Sequence, residues 1–295
     1  MAIQSKIQRA LERHPNFYFE KGDLVLEVDG LLCRVHSDFL KAASPIFSTV
    51  LRLPLPADSA EGQDDISPVQ LVGISRTEIT TVLRAVYTRS NSFTLNELLV
   101  IFRISAFLVM DDLFQWAIDS INNHVDAMPT PIEKVAYGVY GKVEWWVTEG
   151  LRSLVEWPCP QFAIDGPVAR ILSMDTYVHI TTAVEKVRRV RIRIAHTVTD
   201  FSASSDCSTK EECTAAWYCH VGSPFQLRYL SLEKPLSSWE APMWIHQRST
   251  PGLCMSCRLA NKGRLSVEKP IWHLEENVIQ TAIGKLLSAL EPRTG

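Results

Sequence analysis

Apolar and polar positions alternate most regularly near the start of the chain. In Leu24–Val28 and again in Leu31–Val35, apolar residues recur at every second position, and Asp29-Gly30 stands between the two runs. An Asp-Gly pair between alternating runs is typical of the tight turn that joins two antiparallel strands. The pattern therefore predicts a β-hairpin with one buried face.

Directly after the hairpin, the spacing of apolar residues changes to three and four. Between Phe39 and Leu51 this spacing predicts two short apolar helices. The prolines and acids of residues 53–65 indicate an exposed loop, and Val69–Gly73 is predicted to be a short strand closed by glycine. Three longer helices are predicted to follow, and capping boxes open two of them. The boxes are Ser75 with Glu78 and Thr94 with Glu97, and the third helix is predicted to begin at Asp111 or Asp112.

The clearest domain boundary is Met128-Pro-Thr-Pro131, because two prolines in three positions interrupt regular structure. We predict a first domain at residues 1–126 and a second region at residues 127–295. The first domain includes an N-terminal extension, whose weak amphipathic stretch is predicted to end at His14-Pro15. It combines strands with helices, whereas the second region is predicted to be mostly helical. The predicted fold class is therefore α+β.

The second region contains three helical patterns. Residues 132–157 predict two short helices, and a longer helix is predicted over about Asp175–Thr199. A last amphipathic helix is predicted over about Leu274–Leu290. Ser208 with Glu211 forms a further capping box, which predicts a helix start at that point.

Charge and cysteine content restrict the class of protein. The 295-residue chain has a formal net charge of −3, which gives no overall attraction to nucleic acid or to anionic membranes. Its first residues lack the apolar core of a signal peptide, and no apolar run is long enough to span a bilayer. Seven cysteines, an odd number, favour a reducing compartment. We predict an intracellular protein of the cytoplasm or nucleus, without nucleic-acid or membrane partners.

The common catalytic motifs are missing from the sequence. It contains no Gly-rich phosphate loop, no Gly-x-Ser-x-Gly elbow and no His-Glu-x-x-His. Asp23 and His36 are the ionisable residues most embedded in the hairpin–helix junction, and we expect them to form hydrogen bonds at strand and helix ends. We therefore predict a protein that is not an enzyme.

Lys186–Arg193 is the densest basic run in the chain. Apolar residues interleave with its cations, so the run favours an amphipathic helix with a solvated basic face over a nucleic-acid surface. An acidic partner or a nuclear import signal is the alternative.

The cysteines of the second region form a candidate metal site. Cys254-Met-Ser-Cys257 is a Cys-x-x-Cys pair, and its two-residue spacer lets both sulfurs reach one zinc ion. If Ser208 caps a helix, Cys207 and Cys213 both lie near its start. Cys213 and Cys219 are six residues apart, about 240° around a helix, so they do not point the same way. We therefore predict a structural zinc site with the following preferred ligands: Cys207, Cys213, Cys254 and Cys257. Cys219 or His220 is a substitute ligand.

Two alternatives remain for these cysteines. They can be reduced, partly buried thiols that serve as small apolar residues. They can also include a redox pair, but a thioredoxin-like pair stands at a helix N-terminus after a strand–helix unit. No strand-like pattern precedes Pro251.

The first domain resembles the BTB/POZ domain, a protein-interaction fold, and in particular the BTB-domain proteins of mushroom-forming fungi. Runs of similar sequence in those proteins correspond here to Phe17–Glu20, Cys33–His36 and Ser44–Phe47. Their Leu-Pro-x-Pro loop corresponds to Leu53–Pro56. Many of them also carry a C-terminal helical region with a Cys-x5-Cys and a later Cys-x-x-Cys, as this chain does.

This resemblance implies that the partners are proteins, including a second copy of the chain, and that the protein is a homo-oligomer. Some BTB domains recruit a cullin for ubiquitin transfer through a hydrophobic-x-Glu motif. Here the corresponding loop is Ala57–Glu61, with Ser59 at the hydrophobic position. A cullin-type substrate adaptor is therefore an alternative that this departure weakens, and a thiol redox protein is a second alternative.

Overall fold

The computed structural model describes residues 11–52, 61–89, 92–124, 128–156, 164, 166–231 and 233–288. The chain divides into two compact units, Met1–Met128 and Pro129–Gly295. The described strands all lie in the first unit, and helices occur in both, so the protein is α+β.

A four-stranded mixed sheet lies in the first unit, with strand order β1-β3-β2-β4. Strands β2 and β3 pair antiparallel, whereas β1 runs parallel to β3, and β4 runs parallel to β2. The strands are β1 (Glu12–Tyr18), β2 (Leu24–Val28), β3 (Leu31–Val35) and β4 (Val69–Gln70).

The predicted hairpin is confirmed as β2 and β3. Asp29 and Gly30 both have positive φ angles, +50° and +80°, as a tight hairpin turn requires. The prediction of a single buried face is wrong, because Val25 and Leu32 on the other face are also buried. The hairpin is therefore covered on both sides, and its residues belong to the core of the unit.

Strand β1 contradicts the predicted break at His14-Pro15, because both residues lie inside this strand. Residues 1–10 lie outside the described residues. Proline is tolerated here because β1 is at the edge of the sheet, where one side of the strand needs no ladder bonds. The buried ring of His14 accepts hydrogen bonds at Nδ1 from the backbone N–H groups of Asn16 and Phe17. This side chain therefore satisfies backbone donors where the pairing register shifts.

Helices form the rest of the first unit. Both predicted capping boxes are present, Ser75 with Glu78 and Thr94 with Glu97. Strand β4 is shorter than predicted, and Gly73 follows it in a turn with φ of +86°. Asp65, in the loop before β4, accepts hydrogen bonds from Arg13 and Tyr18 of β1. The helices are α1 (Ser37–Ala43), α2 (Pro45–Val50), α3 (Arg76–Thr88), α4 (Leu95–Phe107) and α5 (Asp111–Asn122).

The described part of the second unit is helical, as predicted. Its helices include the predicted short pair (α6 and α7), the long helix (α9) and the start of the last helix (α14), whose predicted residues 289 and 290 lie outside the described residues. A π-helix (Tyr218–Gly222) and a 3-10 helix (Pro270–His273) complete the set. The α-helices are α6 (Pro131–Gly141), α7 (Glu144–Glu156), α8 (Gly166–Ile171), α9 (Met174–Thr199), α10 (Lys210–Trp217), α11 (Ser223–Tyr229), α12 (Glu240–Gln247), α13 (Met255–Arg264) and α14 (Leu274–Ser288).

Helix α9 connects two clusters of buried side chains in this unit. Its first half packs with α6, α7, α8 and α14, and its second half packs with α10, α11, α12 and α13.

The predicted solvated basic face of α9 is confirmed only in part. Arg188 and Arg189 are exposed, whereas Arg191 is nearly buried and pairs with Glu275 at 2.6 Å.

Candidate metal centre

Four cysteines lie close together at the N-terminal ends of two helices in the second unit. Cys207 lies in the loop before α10, and Cys213 lies in the first turn of that helix. Cys254 is the N-cap of α13, and Cys257 follows in its first turn. The two pairs are far apart in sequence, so tertiary folding alone creates the cluster.

The distances between the sulfur atoms suit one tetrahedral ion. The Sγ atom of Cys207 lies 3.7 Å from that of Cys213 and 3.8 Å from that of Cys254. All four sulfurs, including that of Cys257, lie within 4.8 Å of one another. Zinc–sulfur bonds of about 2.3 Å place the corners of a tetrahedron about 3.8 Å apart. A disulfide would need about 2.05 Å, and these cysteines are free thiols.

Backbone N–H groups point at three of the sulfurs. Cys254 donates to Sγ of Cys213 at 3.4 Å, and Ser204 donates to Sγ of Cys257 at 3.3 Å. Cys257 in turn donates to Sγ of Cys254 at 3.4 Å. A neutral thiol is a weak acceptor, whereas such bonds stabilise a thiolate. The donors, together with two helix N-termini, therefore suit sulfurs that carry negative charge.

The surroundings of Cys213 and Cys257 shift the pKa values of these two thiols in opposite directions. The N–H of Cys254 is the main reason that the pKa of Cys213 falls from 9.0 to about 7. Burial raises the pKa of Cys257 to about 12. Cys213 and Cys257 are fully buried, and Cys254 is half-buried. A buried thiol of high pKa becomes a thiolate when a metal ion displaces its proton.

Asn261 attaches the loop before α10 to α13. Its side-chain amide donates to the carbonyl oxygens of Ser202 and Cys257, and its Oδ1 accepts from the N–H of Ser202. Arg258 donates to the carbonyl oxygen of Leu253, in the turn before the N-cap. Sequence reasoning missed both residues, and the only signal was their position on the helix that follows Cys257. Asn261 therefore links the two ligand-bearing segments, whereas Arg258 fixes the turn that leads to Cys254.

The substitute ligands proposed from the sequence lie outside the cluster. Cys219 and His220 lie in the π-helix, and neither belongs to the group of mutually close ligand atoms. The predicted capping box of Ser208 and Glu211 is wrong, because α10 begins at Lys210 and its N-cap, Thr209, makes no side-chain cap bond. The hydroxyl of Thr209 instead lies 3.8 Å from Sγ of Cys213.

The remaining cysteines are Cys33 and Cys159. Cys33 is buried in the hairpin, where burial raises its pKa to about 12, and Cys159 lies outside the described residues. The Cys-x-x-Cys pair does stand at a helix N-terminus, as a redox pair requires. Helix α12 and a turn precede it among the described residues, rather than a strand.

The second candidate site is the hairpin–helix junction of the first unit. Asp23 accepts hydrogen bonds from the backbone N–H and the hydroxyl of Ser37, and the N–H of His36 donates to the hydroxyl of Tyr87. Asp23 and His36 therefore connect strand and helix ends, as predicted.

No protein-family model and no curated protein matches this chain. Within the described residues, every helix is too short or too polar to cross a membrane.

Proposed function

We propose that this chain is a non-enzymatic protein-interaction protein of the BTB type. Its first unit binds a second copy of the chain, and its second unit holds one structural zinc ion. The resemblance of the first domain to BTB/POZ sequences supports self-association. The four convergent cysteines support the zinc ion.

A partly exposed aromatic cluster carries the interaction proposal. Phe39 of α1 is 50% exposed, and its ring centroid lies 4.9 Å from that of Tyr87 at the end of α3. Phe19 and His36 also contact Tyr87 through their rings. Large aromatic side chains that stay exposed in one chain are frequent anchors of protein interfaces.

The neighbouring helix α2 also exposes apolar side chains. Ile46 is 40% exposed and Val50 is 48% exposed. A face of this kind suits a second copy, because most soluble oligomers are symmetric and a two-fold axis places the same patch on both subunits. Burial of such side chains would contribute about 25 cal/mol for each Å² removed from water.

The oligomeric state of the full chain tests this proposal. We expect light scattering after size exclusion to give a dimer for the wild type and a monomer for Phe39→Glu, because the substitution buries an unpaired charge in the interface. Val72→Glu is the matched control, since Val72 is 80% exposed and lies outside the aromatic cluster.

Other outcomes would favour other functions. A wild-type chain that stays monomeric at every concentration would contradict the proposal. Co-purification of a cullin would favour the adaptor alternative, whose motif at residues 57–61 lies mostly outside the described residues. Thiol–disulfide exchange activity that is lost in Cys254→Ser would favour the redox alternative.

Metal analysis of the purified chain tests the zinc ion. We expect about one zinc per chain, bound by four thiolates, and its loss in Cys257→Ala. Cys219→Ala is the matched control, because Cys219 is an exposed cysteine outside the cluster. A wild-type chain without metal after expression in zinc-supplemented medium would indicate plain thiols instead.

A further inference from the structure

An elongated groove of about 390 Å³ lies between α9 and α14 of the second unit. The α9 residues that line it extend from His179 to Arg193, a length of about 21 Å along the helix. Ala183 and Ala282 form part of its floor and are nearly buried. Val190 and Val278 are half-buried and add apolar surface.

Positive charges border this apolar floor. Lys186 and Arg193 lie on α9 and Lys285 lies on α14, and all three are exposed. No carboxylate occurs among the described residues that line the groove. Within the described part of the chain, none of the three cations forms an ion pair, although Arg188 and Arg189 on the same helix pair with Glu185.

The spacing of the basic groups on α9 is regular. His179, Lys186 and Arg193 are seven residues apart, so they follow one side of the helix at intervals of about 10.5 Å. The small side chains of Ala183 and Ala282 let another helix approach closely, since packed helices lie about 8–10 Å apart. The groove therefore combines the length, the apolar floor and the charge pattern that suit a helix.

We propose that this groove binds an acidic amphipathic helix of a partner protein. The apolar face of that helix packs on Val190, Val278 and the two alanines. Its carboxylates, spaced seven residues apart, pair with Lys186 and Arg193. This is the helix-in-groove mode of peptide recognition, with anchors at i, i+3, i+4 and i+7. Nucleic acid suits the groove less well, because its described lining contains no Phe, Tyr or Trp on which bases could stack.

Fluorescence anisotropy with the full chain tests this proposal. The probe is a labelled synthetic helical peptide that has leucines on one face and glutamates at seven-residue intervals beside them. A peptide with lysine in place of each glutamate serves as the control probe. We expect saturable binding of the acidic peptide, weaker at higher salt because exposed charges are screened, and no binding of the basic peptide.

Two pairs of variants separate groove binding from general attraction. Lys186→Glu with Arg193→Glu should weaken binding at least about tenfold, whereas Arg188→Glu with Arg189→Glu should change it less than about twofold. Thr281→Trp should block the groove without a charge change, because the exposed Thr281 lines it. Gln280→Trp is the matched control, since Gln280 is also exposed but does not line the groove.

Several results would overturn the proposal. Absence of saturable binding to the wild type would do so. An equal loss of peptide affinity in both charge-reversed pairs would also do so. Unchanged binding in Thr281→Trp would show that the peptide binds elsewhere. Duplex DNA that binds more tightly than the peptide, through Lys186 and Arg193, would assign the groove to nucleic acid.

Discussion

Glu275 shows how a single buried charge constrains the second unit. Arg191 donates to its Oε1 at 2.6 Å, and the hydroxyl of Tyr229 donates to its Oε2 at 3.3 Å. Both carboxylate and guanidinium are almost fully enclosed. Burial raises the pKa of Tyr229, so its hydroxyl stays a neutral donor. The pair therefore joins α9 to α14 in an environment with little solvent screening.

Glu275→Gln should destabilise the second unit strongly. The substitution leaves the Arg191 charge buried and without its counter-ion, which costs about 3–5 kcal/mol. Glu276→Gln is the matched control in the next position. Glu276 pairs with Arg152, and the two side chains are on average more than one-third exposed. We therefore expect this control to lose less than about 1 kcal/mol of unfolding free energy. Urea unfolding of both variants measures the difference, and equal losses would contradict this account.

The sequence predicted all four preferred cysteine ligands, and the structure brings these four together, but only part of that prediction rests on local spacing. Cys254 and Cys257 could be paired from their spacing, because a two-residue spacer restricts where two sulfurs lie. Cys207 lies 47 residues before Cys254, and no local pattern encodes that contact. The predicted solvated face included Arg191 for the same reason, because no local pattern reveals its partner Glu275, which is 84 residues away.

At the scale of elements, several predictions from local signals are confirmed, although the local capping-box signal of Ser208 and Glu211 was wrong. The hairpin and the helices α3 and α4 are marked by an Asp-Gly turn and by capping boxes, which act within four residues. Strand β1 was missed because its proline suggests a break, although an edge strand tolerates it. Helix α13 was missed because its N-cap is a cysteine, outside the residues that usually cap helices.

Cysteine 254 therefore has two separable roles, as an N-cap of α13 and as a sulfur of the proposed zinc site. Cys254→Ser removes the thiolate but keeps a side-chain acceptor for the N–H of Cys257, whereas Cys254→Ala removes both. In excess chelator, the alanine variant should be less stable than the serine variant by about 1 kcal/mol. Thermal or urea unfolding measures this difference. Equal stability would show that the cap contributes nothing.

At the scale of the whole molecule, the chain consists of two compact units with different architectures. The first has a sheet whose hairpin is buried on both faces, and the second is helical in its described part. The proposed zinc ion lies entirely within the second unit, where it connects the loop before α10 to α13. Metal binding in such a site contributes directly to folding free energy.

Hydrogen exchange of the full chain should locate the effect of metal removal. We expect a chelator to reduce amide protection in α10 and α13, because their N-terminal turns carry the proposed ligands. Amides of the hairpin strands β2 and β3 should keep their protection. An equal loss in the hairpin, or no loss in α10 and α13, would contradict the assignment of the metal to the second unit.

The packing of α14 has a consequence for biosynthesis. This helix completes the buried cluster that α6, α7 and α9 begin, and it carries the acid that neutralises Arg191. A ribosome makes α9 well before α14, since Arg191 and Glu275 are 84 residues apart. During that interval the apolar surface that α14 covers in the folded unit stays exposed and is open to chaperones. The second unit therefore cannot complete this core during translation until α14 has left the exit tunnel.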